Sequence, residues 1–528
     1  MVFSAIDSGV EGTKLPRSPS EQVRLLQTQL RDRWQSVDLF DTGDYDIVVI
    51  PSVTLDSHEL QKVRGFLHYE ERCLFSLIRL RNPRTRLIYV TSQPLHPSII
   101  DYYLQLLPGI PFSHARNRLL LFSTYEASPK SLTQKILERP RLIERIRRAV
   151  RRDRAYAICY NATDLERELS IKLDIPLLAT DPDLQNFGTK SGSRQIFAEC
   201  EVPHPDGSAL VHTVDDLAQA TQALKQRNPE LQRCVVKLDE GFSGEGNALL
   251  NLRELDDRPS LPKIYQRFQT MRFQSSDETW ETFQRSIPEL GAIVEAFIEG
   301  EVKRSPSVQG RISPCGKVEI LSTHDQILGG PDGQIFLGCE FPAYVDYRLQ
   351  LQHYGQRVGD RLAKYGALER FGVDIVVGQR DNGQGDVQAS EINLRKGGTT
   401  HPFMAMKLLT KGEYNTEDGR FYSLQGQAKY YKATDKLESD RYQGLLPSDL
   451  MDAIAFNQLH FDTSTETGTV FHLMGCLSEF GKVGMTSIGN SRGEAEALYS
   501  QVAQALDQET SDEAMDRLTT PFSWATMP

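Results

Sequence analysis

Between residues 44 and 180, five short apolar runs (DYDIVVIPS, RLIYVTS, RLLLFST, AYAICYN and IPLLAT) alternate with stretches whose apolar residues recur every three or four positions. This alternation constrains the fold most strongly. Strands separated by a helical crossover pair in parallel, and the helices cover the faces of the sheet. Residues 1–185 are therefore expected to form an α/β domain with a parallel sheet, with one of its helices running from Ser57 to about Leu80. At 528 residues the chain exceeds what one core serves, so further domains are expected.

Beyond residue 185 the character changes. CVVKLDE, NALLNL, AIVEAFIEG and VEILSTHDQIL read as strands separated by glycine-rich turns, and a helical pattern covers residues 349–371. FGVDIVV and DVQASEINL flank GQRDNGQGD, a connector suited to a hairpin. GTVFHLMG and KVGMTSIG read as two further strands, and RGEAEALYSQVAQALDQ as a closing helix with Ser491 at its N-cap. The expected class is α/β (α+β), divided into residues 1–185, 186–420 and 421–528.

Composition narrows the function. A net charge of −11 disfavours nucleic acid as the main partner. The arginine-rich stretch at residues 139–154 (eight arginines in sixteen residues) runs against that balance, and reads first as a solvated helix face over Ile143, Ile146 and Val150. Mean hydropathy is −0.41 and no apolar run approaches the roughly 20 residues a bilayer requires, so no membrane span is expected. The first twenty residues read as neither signal nor transit peptide. Seven scattered cysteines without a CxxC suggest reduced thiols in the cytoplasm. Assembly with further copies of the chain stays open.

Three segments carry the chemistry. In CVVKLDEGFSGEGN, Lys237 ends a strand and is followed by Gly241, Ser243, Gly244 and Gly246. Glycines let backbone N–H groups approach phosphate oxygens, and the lysine adds a point charge; a structural glycine hairpin is the alternative. In the hairpin, Glu391 and Asn393 lie two apart on one strand face, and Asp374 lies on the neighbouring strand. These hard oxygen donors suit Mg²⁺, although a wet polar strand face is the alternative. In VEAFIEGEV, residues Glu295, Ala296, Phe297 and Ile298 offer an edge for a flat base, and Glu299 or Glu301 could accept from ribose hydroxyls. His324 and Asp325 face opposite sides of one strand, so at most one enters a given cleft. His401, His472 and Cys339 read as core residues.

Taken in order, these segments resemble the ATP-grasp superfamily from about Asn186 to Lys411. The chain as a whole is similar to the pheganomycin-type peptide ligases, through STHDQILGG, EINLRKGGTTHP and FHLMG with GKVGMTSIG. The resemblance implies a Rossmann-like domain ahead of an ATP-grasp fold with two α+β subdomains and a small α+β segment after it. It implies an ATP-dependent carboxylate–amine ligase using one or two Mg²⁺ ions and an acyl phosphate, acting on a small carboxylate and an amino acid or peptide. Lys190, in NFGTKSGS, fits the family's earlier lysine and would share the phosphates with Lys237. Asp374, Glu391 and Asn393 would hold metal, and Arg395 and Arg311 would reach the γ-phosphate or acyl phosphate as catalytic residues. Arg395-Lys396-Gly397-Gly398 departs from the small-residue and proline turn of several family members. A non-amine acceptor (a thiol or bicarbonate) and a nucleotide-binding scaffold without turnover stay open as alternatives.

Overall fold

A computed structural model describes residues 18–35, 43–55, 57–107, 109–240, 246–274, 278–300, 302–329, 335–379 and 385–511. The expected parallel sheet is present: β1 (Asp46–Ile50), β2 (Arg86–Thr91), β3 (Leu119–Ser123) and β4 (Ala155–Cys159) pair in the order β3-β2-β1-β4. All of β1 and β4 is buried, as strands covered on both faces should be. IPLLAT adds a single bridge between Leu177 and Ala157, not a fifth strand. The expected continuous helix is also interrupted. A short helix, Ser57–Lys62, is followed by Gly65 at φ 76° and then by a 3₁₀ helix, Phe66–Arg81. A Cβ at Gly65 would lie 2.4 Å from the Cys476 sulfur, so left-handed backbone and close packing both demand glycine there. In helix Pro140–Ala149, Leu142, Ile143 and Ile146 are buried. Beyond it, Arg151 and Arg154 pair with Asp44, and Arg151 also with Asp46, so this arginine-rich stretch is largely a solvated and salt-bridged face.

The second sheet is antiparallel and small: β5 (Arg233–Leu238), β6 (Asn247–Asn251), β7 (Arg272–Phe273) and β8 (Ala292–Ala296), in the order β7-β6-β5-β8. Its core holds Val236, Leu250, Phe268 and Phe283.

A ten-stranded antiparallel sheet forms the rest. It contains β9 (Val302–Ile312), β10 (Val318–Gly329), β11 (Ile335–Phe341), β12 (Glu369–Gln379), β13 (Gly385–Asn393), β14 (Glu413–Asn415), β15 (Arg420–Tyr422), β16 (Ala428–Glu438), β17 (Gly468–His472) and β18 (Lys482–Gly489). The main order is β13-β12-β9-β10-β11-β16-β15-β14, with β18 on β16 and β17 on β18. The expected hairpin is β12 with β13, in a register that sets Asp374 opposite Glu391. The strands after residue 420 extend this sheet and share a core with the first one. There, the Tyr103 hydroxyl donates to the Phe471 carbonyl at 2.8 Å.

Candidate active site

A cleft of about 1360 Å³ is lined by residues of the small sheet, the large sheet and the first domain. Lys237 from β5 and Glu295 to Ile298 from β8 and the turn after it line one side. Asp374 from β12, with Glu391, Asn393 and Arg395 from β13 and the turn after it, line the other.

Lys190 begins helix Lys190–Glu199, whose N-cap Thr189 accepts from the Gly192 N–H at 3.1 Å. Gly192 permits this turn because a Cβ there would sit 1.8 Å from the Asn186 carbonyl oxygen. The turn aims a buried Lys190 at the hairpin, and its Nζ lies 2.7 Å from Glu391 Oε1. Lys237 reaches the same place from β5, with Nζ 2.6 Å from Glu295 Oε2 and 3.4 Å from Ser390 Oγ. Arg194 also contacts Glu295, at 2.9 Å. Burial works to raise the Glu295 carboxyl, but these two cations outweigh it and hold its pKa below the ordinary value.

Asp374 has the opposite character. Burial first, and the neighbouring Glu391 charge second, push its pKa up to about 6 against the pull of Arg395. Asp374 accepts from Gln326 Nε2 at 2.7 Å and from Asn393 Nδ2 at 2.8 Å. Two carboxylates and an amide oxygen therefore face the cleft from paired strands, with their mutual repulsion only partly offset. A divalent cation bound by oxygen would relieve that repulsion, so the donor set fits Mg²⁺. Among the described residues, no cluster of three His, Cys, Asp or Glu side chains offers a metal site.

The other expected site residues divide. Ala296, Phe297 and Ile298 line the cleft. Glu299 is paired with Arg233, which also lies 4.1 Å from the centre of the Phe297 ring, so the Glu299 carboxylate is turned to that cation. Gly246 is in place ahead of β6, and Leu238 N–H donates to its carbonyl at 2.9 Å. Gly241, Ser243, Gly244 and Glu301 lie outside the described residues. Arg311 does not reach the cleft. It shares a strand face with Ser307 and Gln309, which do line it, but it sits at the far end of β9, paired with Glu319 and 5.8 Å from the Trp34 ring. Of the two arginines expected to reach phosphate, only Arg395 lines the cleft.

His324 is buried against the Tyr431 hydroxyl, while its neighbour Asp325 lines the cleft, as alternation along a strand requires. Lys303 was not singled out from the sequence; it lines the cleft with Nζ 3.2 Å from the Phe297 ring centre. Burial, aided by Arg233, lowers its pKa to about 8. Tyr69, Arg72, Tyr160 and Lys482 form the far wall and were also missed. They come from opposite ends of the chain, and no local pattern marks them.

Residues 183–277 and 258–417 match the IQCH-like ATP-grasp family, and residues 449–502 match the PGM1 C-terminal domain. The chain is 30% identical over 460 residues to an L-propargylglycine–L-glutamate ligase of Streptantibioticus cattleyicolor, covering 85% of this chain and 91% of the relative. It is 24% identical over 418 residues to the IQ motif-containing protein H of Danio rerio, covering 70% of this chain but 39% of that protein. The fold is similar to a biotin carboxylase–β,γ-ATP complex from Campylobacter jejuni (TM-score 0.52, 11% identity, covering 89% of this chain and 96% of that one). The chain belongs to the ATP-grasp superfamily, among the ATP-dependent carboxylate–amine ligases related to the pheganomycin-type peptide ligases. It is an enzyme that forms carbon–nitrogen bonds. Among the described residues, no helix is long and apolar enough to cross a membrane.

Proposed function

We propose that this ligase joins the carboxylate of one small molecule to the amine of an amino acid or peptide in the cytoplasm. A relative named for two amino acids supports substrates of that size. One carboxylate oxygen attacks the γ-phosphorus of ATP and the bond to the β,γ-bridging oxygen breaks, giving acyl phosphate and ADP. The amine nitrogen then attacks the acyl carbon, phosphate leaves, and the amine proton is lost.

Lys190 and Lys237 would exchange their present carboxylate partners for phosphate oxygens. Ala296 to Ile298 would hold the base. Asp374, Glu391 and Asn393 would hold one or two Mg²⁺ ions, which neutralise charge on the phosphoryl oxygens when bound. Arg395 would orient the transferred phosphoryl group through its planar fork. In this reading residues 186–420 bind nucleotide, while residues 1–185 and 421–528 supply the substrate wall.

The observation that carries the reading is the meeting of Lys190, from one helix, with Glu391 at 2.7 Å on the strand that also presents Asn393 to the cleft. The test is isotopic. With an acid labelled with ¹⁸O in its carboxylate, one label per turnover should appear in the released phosphate. Unlabelled phosphate formed alongside amide would refute the acyl phosphate.

A further inference from the structure

The far wall of the cleft carries a charge that the nucleotide half does not use. This wall forms where the 3₁₀ helix Phe66–Arg81 meets β16 and β18. Lys482 opens β18, lines the cleft and is 2% exposed. Its Nζ donates to the Tyr69 hydroxyl at 2.8 Å and lies 4.9 Å from the centre of that ring, and among the described residues it makes no ion pair. Two other buried lysines are neutralised, Lys237 on the cleft wall by Glu295 at 2.6 Å and Lys190 behind it by Glu391 at 2.7 Å. Arg72, 4.1 Å from the Tyr69 ring, is already compensated by Asp435, which His472 Nε2 meets at 2.6 Å. A buried lysine without a counter-ion is costly to keep charged, and an anionic ligand at its side would offset that cost.

The backbone fixes this lysine in place. Gly481 (φ 60°) leads directly into β18, and a Cβ there would sit 2.2 Å from the Ser439 carbonyl oxygen, so the strand begins hard against β16. Glu438 is the cross-strand partner of Lys482 in the register, yet it is exposed and not in ion-pair contact with it.

We propose that Lys482 and the Tyr69 hydroxyl form a subsite for a carboxylate of an amino-acid or peptide substrate other than the carboxylate that is phosphorylated. The phosphorylated carboxylate belongs beside Arg395 and Asp374, so the two cations divide the work within one cleft. The inference rests on the ligase reading and deepens it: the substrate class is amino acids or peptides that keep a free carboxylate away from the bond being formed. Arg72 is a positioning residue here, since it packs against Tyr69 while its charge is spent on Asp435.

The test is thermal denaturation of the full chain with standard L-amino acids, and with the carboxamides made from each of their carboxylates. It is run with and without Mg²⁺ and a non-hydrolysable ATP analogue, so the amino-acid result stands independently of the nucleotide result. At least one amino acid should raise the melting temperature of the wild type, while the matching carboxamide does not. Lys482→Met should weaken that amino acid by at least about 30-fold in a calorimetric titration while leaving the shift caused by the ATP analogue intact. Lys482→Arg should restore part of the affinity, and Tyr69→Phe should weaken it by less than Lys482→Met does. The proposal is overturned if acid and carboxamide act alike, if Lys482→Met keeps the shift (as a Lys482–Glu438 pair closing in solution would produce), or if no amino acid shifts the wild type. Absence of any shift with the ATP analogue would instead contradict the nucleotide reading.

Discussion

Lys190 and Glu391 are 201 positions apart in the chain, yet Nζ and Oε1 stand 2.7 Å apart across the junction of a helix and the β12–β13 hairpin. Lys190 is buried, and the Glu391 side chain it holds is 29% exposed and lines the cleft. Glu391→Gln removes the charge that compensates a buried ammonium and should destabilise the fold by about 2 kcal/mol. Adding Lys190→Met should recover much of that stability. ADP formation should fall at least about 100-fold in either single variant and stay lost in the double variant. Melting temperature and turnover, measured on the four proteins of this cycle, separate the structural from the catalytic role of the pair.

Lys237 shares the Glu295 carboxylate with Arg194. Lys237→Ala should raise the Kd for MgATP by about tenfold or more in calorimetry, because one phosphate-facing cation is lost. The fold should hold, since Arg194 still meets Glu295. An unchanged Kd would remove Lys237 from the nucleotide site.

Arg395 and Arg311 are expected to separate cleanly. Arg395→Ala should lower kcat by about 100-fold, whereas Arg311→Ala should leave it within about twofold. Arg311 is committed to Glu319 and Trp34 at the end of β9. Steady-state ADP release from the two variants checks this, and a comparable loss in both would return Arg311 to the site.

Lys303 supplies a pH signature. Burial first, then Arg233, depress its pKa to about 8 from a normal value of 10.5. The ammonium is thus present below pH about 8 and lost above it, before a free lysine would titrate. If it faces nucleotide over the Phe297 ring, MgATP affinity should weaken as pH rises through about 8, and Lys303→Arg should flatten that profile. A wild-type Kd unchanged between pH 7 and 9 would show that Lys303 does not sense the nucleotide.

Much of the local order was legible in the sequence, because it depends on short-range patterns. The short apolar runs of β1 to β4 and the turn-rich connector between β12 and β13 announced their strands, and period two placed Glu391 and Asn393 on one face. Two kinds of feature were not legible. The first is local geometry set by distant packing: the helical pattern of residues 57–80 continues through Gly65, but the fold breaks it there, where the chain turns left-handed against Cys476. The second is convergence. Tyr69 and Lys482 meet only because β18 joins β16 beside the first sheet, and Arg311 leaves the site because the cleft ends before its strand does.

The most direct measurement is ADP release from MgATP with pools of small carboxylic acids alone, amines alone, and both, using the wild type and Asn393→Ala. Sustained turnover by the wild type only when acid and amine are both present, and none by the folded Asn393→Ala protein, is the predicted result. Turnover that ignores the amine, or a full rate from Asn393→Ala, would contradict the account.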